Sequence, residues 1–120
     1  MKAKSRRQER VGSLIQEALS RPLIEEVQHV STSLVTITRV DVTSDLLTAR
    51  AFLSIYGPDD PRAILAHLEK RAGHFRKALA SMVKLKYNPM LFFSLDPTLE
   101  VEQRIDELLQ SVKKTKRDSS

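Results

Sequence analysis

The chain has 120 residues, of which 41% are hydrophobic and 5% aromatic, and it carries a net charge of +5 without any cysteine. This length has room for one domain and its tails. Without cysteine, disulfides, thiolate metal sites and cysteine nucleophiles are excluded. No apolar run approaches the ~20 residues of a membrane span, and no signal-type segment is present, so we expect a cytoplasmic protein with no membrane partner.

The first predicted element is an amphipathic helix over residues 6–20. Its apolar side chains recur at helical spacing, and they are Val11, Leu14, Ile15, Ala18 and Leu19. Pro22 follows at a position where proline commonly ends a helix. The Arg-rich start also resembles an organellar transit peptide, but Glu9 and Glu17 argue against one.

Two β-branched segments, residues 34–43 and 47–56, predict an antiparallel hairpin. The second segment alternates cleanly. The side chains predicted to face the core are Ala49, Ala51, Leu53 and Ile55. In the first segment the apolar positions switch parity halfway along, so we predict a β-bulge near Thr38–Arg39 that restores the register.

Two helices and a third strand come next. Asp60 followed by Pro61 marks a helix start, and the predicted buried stripe of this helix is Ile64, Leu65 and Leu68. Gly73 is predicted to bend the chain before a second helix. The stripe of the second helix is Phe75, Ala78, Leu79, Met82 and Val83. Residues 90–95 predict a strand with Leu91, Phe93 and Leu95 inward.

A last apolar stripe predicts a further helix, formed by Ile105, Leu108, Leu109 and Val112. The basic segment 113–120 predicts a disordered tail. We therefore predict one α+β domain over residues 1–112, with the order α-β-β-α-α-β and an extra C-terminal helix. Its three strands form one sheet that is covered on one side by the helices.

Nothing in the sequence matches a catalytic or metal-binding motif. His29, His67 and His74 lie outside any metal-ligand spacing. The carboxylate pairs Glu25–Glu26 and Asp59–Asp60 are neighbours in sequence, so their side chains diverge and make poor acid–base pairs. We expect no enzyme, no cofactor, no metal and no small-molecule substrate.

Basic side chains are clustered in the sequence. Residues 62–86 hold seven Lys or Arg side chains against Glu69 alone, and residues 1–10 hold five against Glu9. Such clusters favour a polyanion, most commonly a nucleic-acid backbone. The candidate RNA-binding residues are Arg71, Gly73, His74, Arg76, Lys77, Lys84 and Lys86 of the central cluster and Arg6, Arg7 and Arg10 of the first.

The stretch 70–86 is the main candidate, because its basic side chains fall opposite the apolar stripe of a helix. Gly73 leaves the first amides of that helix open to a phosphate. Only Tyr56, Tyr87 and Phe92 are assigned to the surface, which is too few for a base-stacking platform, so we expect contacts with the RNA backbone. An ordinary solvated basic face explains the same pattern.

Four stretches of the sequence resemble the bacterial ribosome-binding factor A family. They are RRQERVGSLIQEALSRPL, VTITRVDVTSDLLTARAFLSIYG, RAGHFRKALASMVKLKYNPMLFFSLD and DPTLEVEQRIDELL. Where a KH domain has a GxxG loop, this family has a helix–kink–helix built on a small residue, a variable residue and glycine. Arg71, Ala72 and Gly73 stand at those positions, so the glycine is retained and the small first residue is not.

The resemblance implies a type II KH-like fold and a non-catalytic role. It also implies binding to the immature small (30S) ribosomal subunit and its 16S rRNA, assistance in late maturation that includes rRNA processing, and an association with growth in the cold. We expect a monomer. A protein–protein adaptor, or a general RNA-binding module not tied to the ribosome, is the alternative.

Overall fold

The computed structural model describes residues 4–97, which form three helices and a three-stranded mixed sheet. The elements are α1 (Arg6–Gln28), β1 (Leu34–Val42), β2 (Thr48–Tyr56), α2 (Pro61–Lys70), α3 (Ala72–Met82) and β3 (Met90–Leu95). The strand order is β1-β2-β3, with β1 antiparallel and β3 parallel to β2. This is the predicted α-β-β-α-α-β order of a type II KH-like fold.

Helix α1 is longer than the predicted residues 6–20, and Pro22 lies inside it. The prediction that Pro22 ends the helix is therefore wrong. Proline inside a helix removes a backbone hydrogen bond and costs about 3 kcal/mol. The helix continues because Leu23 and Val27 extend its buried stripe. Each such side chain contributes about 1.5–3 kcal/mol on burial, which offsets the cost of the proline.

The hairpin of β1 and β2 has the predicted antiparallel pairing. Its register shifts between Ile37 and Arg39, which confirms the predicted bulge. The bulged Thr38 donates its hydroxyl proton to Asp96 Oδ2 at 2.6 Å. The shift returns Val42 to the inner face of the sheet, where it is 4% exposed.

The core lies between the inner face of the sheet and the helices. All four predicted inward side chains of β2 are buried, and so are Leu91 and Phe93 of β3, while Leu95 is half-buried. The rings of Phe75 and Phe93 meet edge to face with their centroids 5.6 Å apart. This contact packs α3 against β3. It agrees with the prediction that the helices cover one side of the sheet.

The outer face of the sheet carries two aromatic rings covered by arginines. The Arg39 guanidinium lies 4.0 Å from the centroid of the Phe52 ring, and that of Arg50 lies 5.6 Å from the centroid of Phe92. Phe52, which is not among the rings predicted to lie at the surface, is half-buried on this face. Both rings already have a cation over them.

The bend between α2 and α3 occurs at Arg71, whose φ of −98° and ψ of 10° lie between the helical and extended regions. Gly73 lies within the first turn of α3 and has no left-handed φ. The prediction that Gly73 makes the bend is therefore wrong. Met82, predicted to be buried, is 55% exposed because it is the last residue of α3 and lies at the edge of the core.

The predicted C-terminal helix, with its stripe from Ile105 to Val112, and the predicted tail 113–120 lie outside the described residues. The domain boundaries at 1–112 and 113–120 stay predictions. Within residues 4–97, no helix combines the length and the hydropathy needed to cross a bilayer.

The two helical glycines provide a matched test of the packing of α1. A Cβ added at Gly12 would lie 2.7 Å from the Val40 carbonyl oxygen, whereas one at Gly73 would meet nothing within 4 Å. We expect Gly12→Ala to lower the free energy of unfolding by about 1–3 kcal/mol. Gly73→Ala should leave it unchanged or raise it by up to about 1 kcal/mol. Urea denaturation measures both, and equal effects would contradict this account of the helix–strand contact.

Candidate nucleic-acid interface

Two basic clusters that are distant in sequence meet at one cleft of about 350 Å³. Helix α1 contributes Arg7 and Arg10, and the segment after α3 contributes Lys84 and Lys86. The other residues that line the cleft are Val11, Leu14, Leu46, Leu85 and Tyr87. The cleft therefore combines an apolar wall with four cations, and among residues 4–97 no acidic side chain lines it.

The start of α1 is fixed by a capping box. The Ser5 hydroxyl accepts a hydrogen bond from the Gln8 amide, and the Gln8 side chain accepts one from the Ser5 amide. Gln8 Nε2 also donates to the Val42 carbonyl oxygen at 2.9 Å. Because this helix start is tied to β1, Arg7 and Arg10 are held beside the tip of the hairpin.

The tip of the hairpin supplies one apolar wall. Leu46 has a φ of 63°, in the left-handed region that L-residues other than glycine rarely adopt. Asp45 stabilises this loop, because its carboxylate accepts hydrogen bonds from the Thr43 hydroxyl and the Leu47 amide. These two bonds hold the pKa of the Asp45 carboxyl below its ordinary value. The loop thus presents Leu46 in a strained conformation at the cleft.

The segment between α3 and β3 forms the facing wall, and Arg76 fastens it. Arg76 Nε donates to the Pro89 carbonyl oxygen and its Nη2 to that of Asn88, both at 3.0 Å. The side chain is half-buried. Arg76, predicted as an exposed phosphate contact, is therefore a structural clamp that positions the segment carrying Lys84 and Tyr87.

Arg71 is also engaged within the protein. Its Nε donates to Glu26 Oε1 at 2.5 Å, and His67 Nε2 lies 3.5 Å from the same oxygen. Burial raises the pKa of the Glu26 carboxyl, but the hydrogen bond and charge of Arg71, with the charges of His67 and His74, outweigh burial and lower it. This cluster ties the end of α1 to the junction of α2 and α3.

The predicted site residues are therefore split between two ends of the molecule. Arg71, Gly73 and His74 lie at the junction beside Glu26, which is 16 positions beyond Arg10 on α1, or about 24 Å along the helix. Arg7, Arg10, Lys84 and Lys86 line the cleft. Lys77 and Arg6 are exposed and form no ion pair within residues 4–97.

Tyr87 lines the cleft but is not among the predicted RNA-binding residues. It is 50% exposed, and Lys86 Nζ lies 5.4 Å from the centroid of its ring. Its position directly after Lys86, and three residues after Lys84, is a signal in the sequence. Leu46 and Leu14 could not be found in this way, because only the tertiary fold brings them beside the lysines.

In the part of the chain that the structure describes, no group of three His, Asp or Glu side chains is placed to hold a metal ion. Four of the side chains that line the cleft are Lys or Arg, which donate hydrogen bonds and accept none, and Tyr87 adds a hydroxyl that can do both. This lining has the chemistry to bind an anion.

Comparison with known proteins gives a consistent family. Residues 7–109 match the family described as ribosome-binding factor A. The ribosome-binding factor A of Halothermothrix orenii is 36% identical over 111 residues, which cover 92% of this chain and 91% of that protein. A crystal structure of ribosome-binding factor A from Thermus thermophilus superposes with a TM-score of 0.54 at 22% identity, covering 69% of this chain and 93% of that one.

A further structural match is a homology model of the Thermus thermophilus ribosome-binding factor A that was fitted into a cryo-EM map of its complex with the 30S subunit. Its TM-score is 0.51 at 22% identity, with 68% of this chain and 90% of that one covered. At this level of identity the two matches establish the fold alone.

The clamp role of Arg76 is tested against its neighbour Lys77. Hydrogen bonds from a charged donor contribute about 1.5–3 kcal/mol. We expect Arg76→Ala to lower the free energy of unfolding by about 1–3 kcal/mol. Arg76→Lys should not restore it, because an ammonium lacks the planar fork that reaches both carbonyls. Lys77→Ala should change stability by less than about 0.5 kcal/mol. Equal stability of the two alanine variants in urea would show that the clamp is not needed.

The lowered pKa of Glu26 predicts a pH dependence. A carboxyl with a depressed folded pKa contributes stability above its unfolded value of 4.5, and that contribution is lost as the pH falls through the folded pKa. Glu26→Gln should therefore be less stable than the parent at pH 7, with the difference closing as the pH falls below 4.5 and through the folded pKa. Glu25→Gln is the control on the exposed side of α1. A difference that persists unchanged in acid would refute the assignment to this charge.

Proposed function

Because the chain belongs to the ribosome-binding factor A family, we propose that it binds the immature small (30S) ribosomal subunit through 16S rRNA and assists the late maturation of that subunit, including rRNA processing. The complex of the Thermus thermophilus relative with the 30S subunit supports this partner. The protein acts as a monomeric binding factor in the cytoplasm and needs no cofactor.

The observation that carries the proposal is the meeting of the two basic clusters at one cleft. Arg7 and Arg10 come from the start of α1, and Lys84 and Lys86 from the segment after α3. Four cations around one depression can contact successive phosphates of an RNA strand, which releases counterions and supplies most of the affinity. At the junction of α2 and α3, Arg71 is bound to Glu26, so this region contributes less free charge than the cleft.

The proposed role is one of binding and not of catalysis. The cations that line the cleft are guanidinium and ammonium groups, whose hydrogen-bond donors suit the binding of phosphate oxygens. A factor of this kind acts by occupying RNA and changing which conformations of the subunit are populated.

A charge-matched pair of variants tests the interface. Arg10→Ala with Lys84→Ala removes one cation from each side of the cleft. Arg21→Ala with Arg62→Ala removes the same charge from exposed positions outside it. Co-sedimentation with purified small subunits across a salt series gives affinity and salt slope. We expect the cleft variant to bind more weakly, with a slope reduced by about two or less, and the control to keep the parental slope.

The control also bears on the adaptor alternative. If both variants lose the same affinity, net charge rather than the cleft governs binding. If binding to the subunit survives ribonuclease treatment of the accessible rRNA, a ribosomal protein is the partner and the RNA contact proposed here is wrong.

A further inference from the structure

We propose that the cleft binds one unpaired nucleotide, whose base stacks on Tyr87 while the flanking phosphates lie on the cations at its rim. This deepens the proposed function and rests on it, since it names the form of RNA that the site recognises. A basic face alone would serve any phosphate backbone. The apolar part of the cleft is what requires a more specific occupant.

The side chains that line the cleft favour an unpaired nucleotide over a duplex. A duplex presents phosphates and sugars and keeps its base faces stacked inside, so it would leave Leu14, Leu46 and Tyr87 without a partner. A splayed nucleotide presents a flat apolar face and a phosphate together. The cleft offers the matching pair, a tyrosine that is 50% exposed and four cations that line the same depression.

The size of the cleft argues against an acidic helix as the occupant. Its volume of about 350 Å³ lies within the range of pockets that hold small organic groups. A helix with its side chains is about 10–12 Å across and needs an elongated groove. A single base with its sugar fits a compact depression of this kind.

The cleft is also preorganised. The Arg76 clamp holds the segment that carries Tyr87, and the amide of Met90 donates to the Leu47 carbonyl oxygen at 2.9 Å, which joins that segment to the hairpin tip. Leu46 is kept in a left-handed conformation that costs free energy. Walls fixed in this way lose little freedom when a ligand enters.

Because the chain has so few tyrosines, binding at Tyr87 can be followed by the fluorescence of Tyr87 itself. The chain has two tyrosines and no tryptophan, and the other tyrosine, Tyr56, is 71% exposed at the end of β2. In the Tyr56→Phe protein, tyrosine fluorescence comes from Tyr87 alone. Titration with a short single-stranded RNA should quench it. The same strand annealed to its complement should bind through phosphates without comparable quenching.

Substitution of Tyr87 separates stacking from charge. Tyr87→Ala should weaken binding of the single strand roughly 5- to 100-fold, in line with the loss of one stacked base. The salt slope should stay at the parental value, because no phosphate contact is removed. Tyr87→Phe should bind within about twofold of the parent, since the ring is retained, and this variant guards against misfolding as the cause.

Three outcomes would overturn the inference. The first is parental affinity of Tyr87→Ala for the single strand. The second is equal quenching by single strand and duplex. The third is quenching by poly-glutamate with displacement of the RNA, which would make the occupant an acidic protein segment. Co-sedimentation of the Tyr56→Phe protein with small subunits distinguishes a failure of the nucleotide site from a failure of the proposed function. Subunit binding without quenching by RNA refutes only the nucleotide site, whereas loss of subunit binding refutes the proposed function.

Discussion

The burial of one face of α1 against the sheet determines where the functional side chains of this protein lie. Ile15, Leu19, Leu23 and Val27 recur every fourth residue and are all at most 1% exposed. The close approach of Gly12 to the Val40 carbonyl fixes the height of the helix over β1. These contacts set the rotation and position of α1. One end of the helix therefore places arginines at the cleft, and the other end places Glu26 at the α2–α3 junction.

The positive charge of the protein has two distinct uses. Several arginines serve the fold: Arg76 binds backbone carbonyls, Arg71 binds Glu26, and Arg39 covers Phe52. Guanidinium suits these tasks because it is planar, donates in a fixed fork and stacks on rings. The lysines after α3 are left to face solvent. Counting basic residues along the chain therefore overstates the charge that is available to a polyanion.

Local patterns were sufficient to predict most of the fold. Alternation located all three strands, a parity change located the bulge, and Asp60–Pro61 located the start of α2. The errors have a common cause. Pro22 and Gly73 are assigned from their intrinsic preferences and Met82 from its helical spacing, and the burial of distant partners or the position of a helix end overrides these local signals. The cleft could not be predicted, because its two basic walls lie more than 70 residues apart and meet only through the sheet.

The parallel pairing of β3 with β2 has a consequence for synthesis of the chain. The hairpin can close as soon as Tyr56 has left the ribosome, but the other edge of β2 stays open until Leu95 has emerged and two helices have been made in between. An open strand edge is a template for pairing with other chains. The elements made in that interval, α2 and α3, pack against β3 and therefore cannot take its place at the edge of β2. The order of elements along the chain thus leaves one edge of the central strand open until the last strand of the sheet has been made.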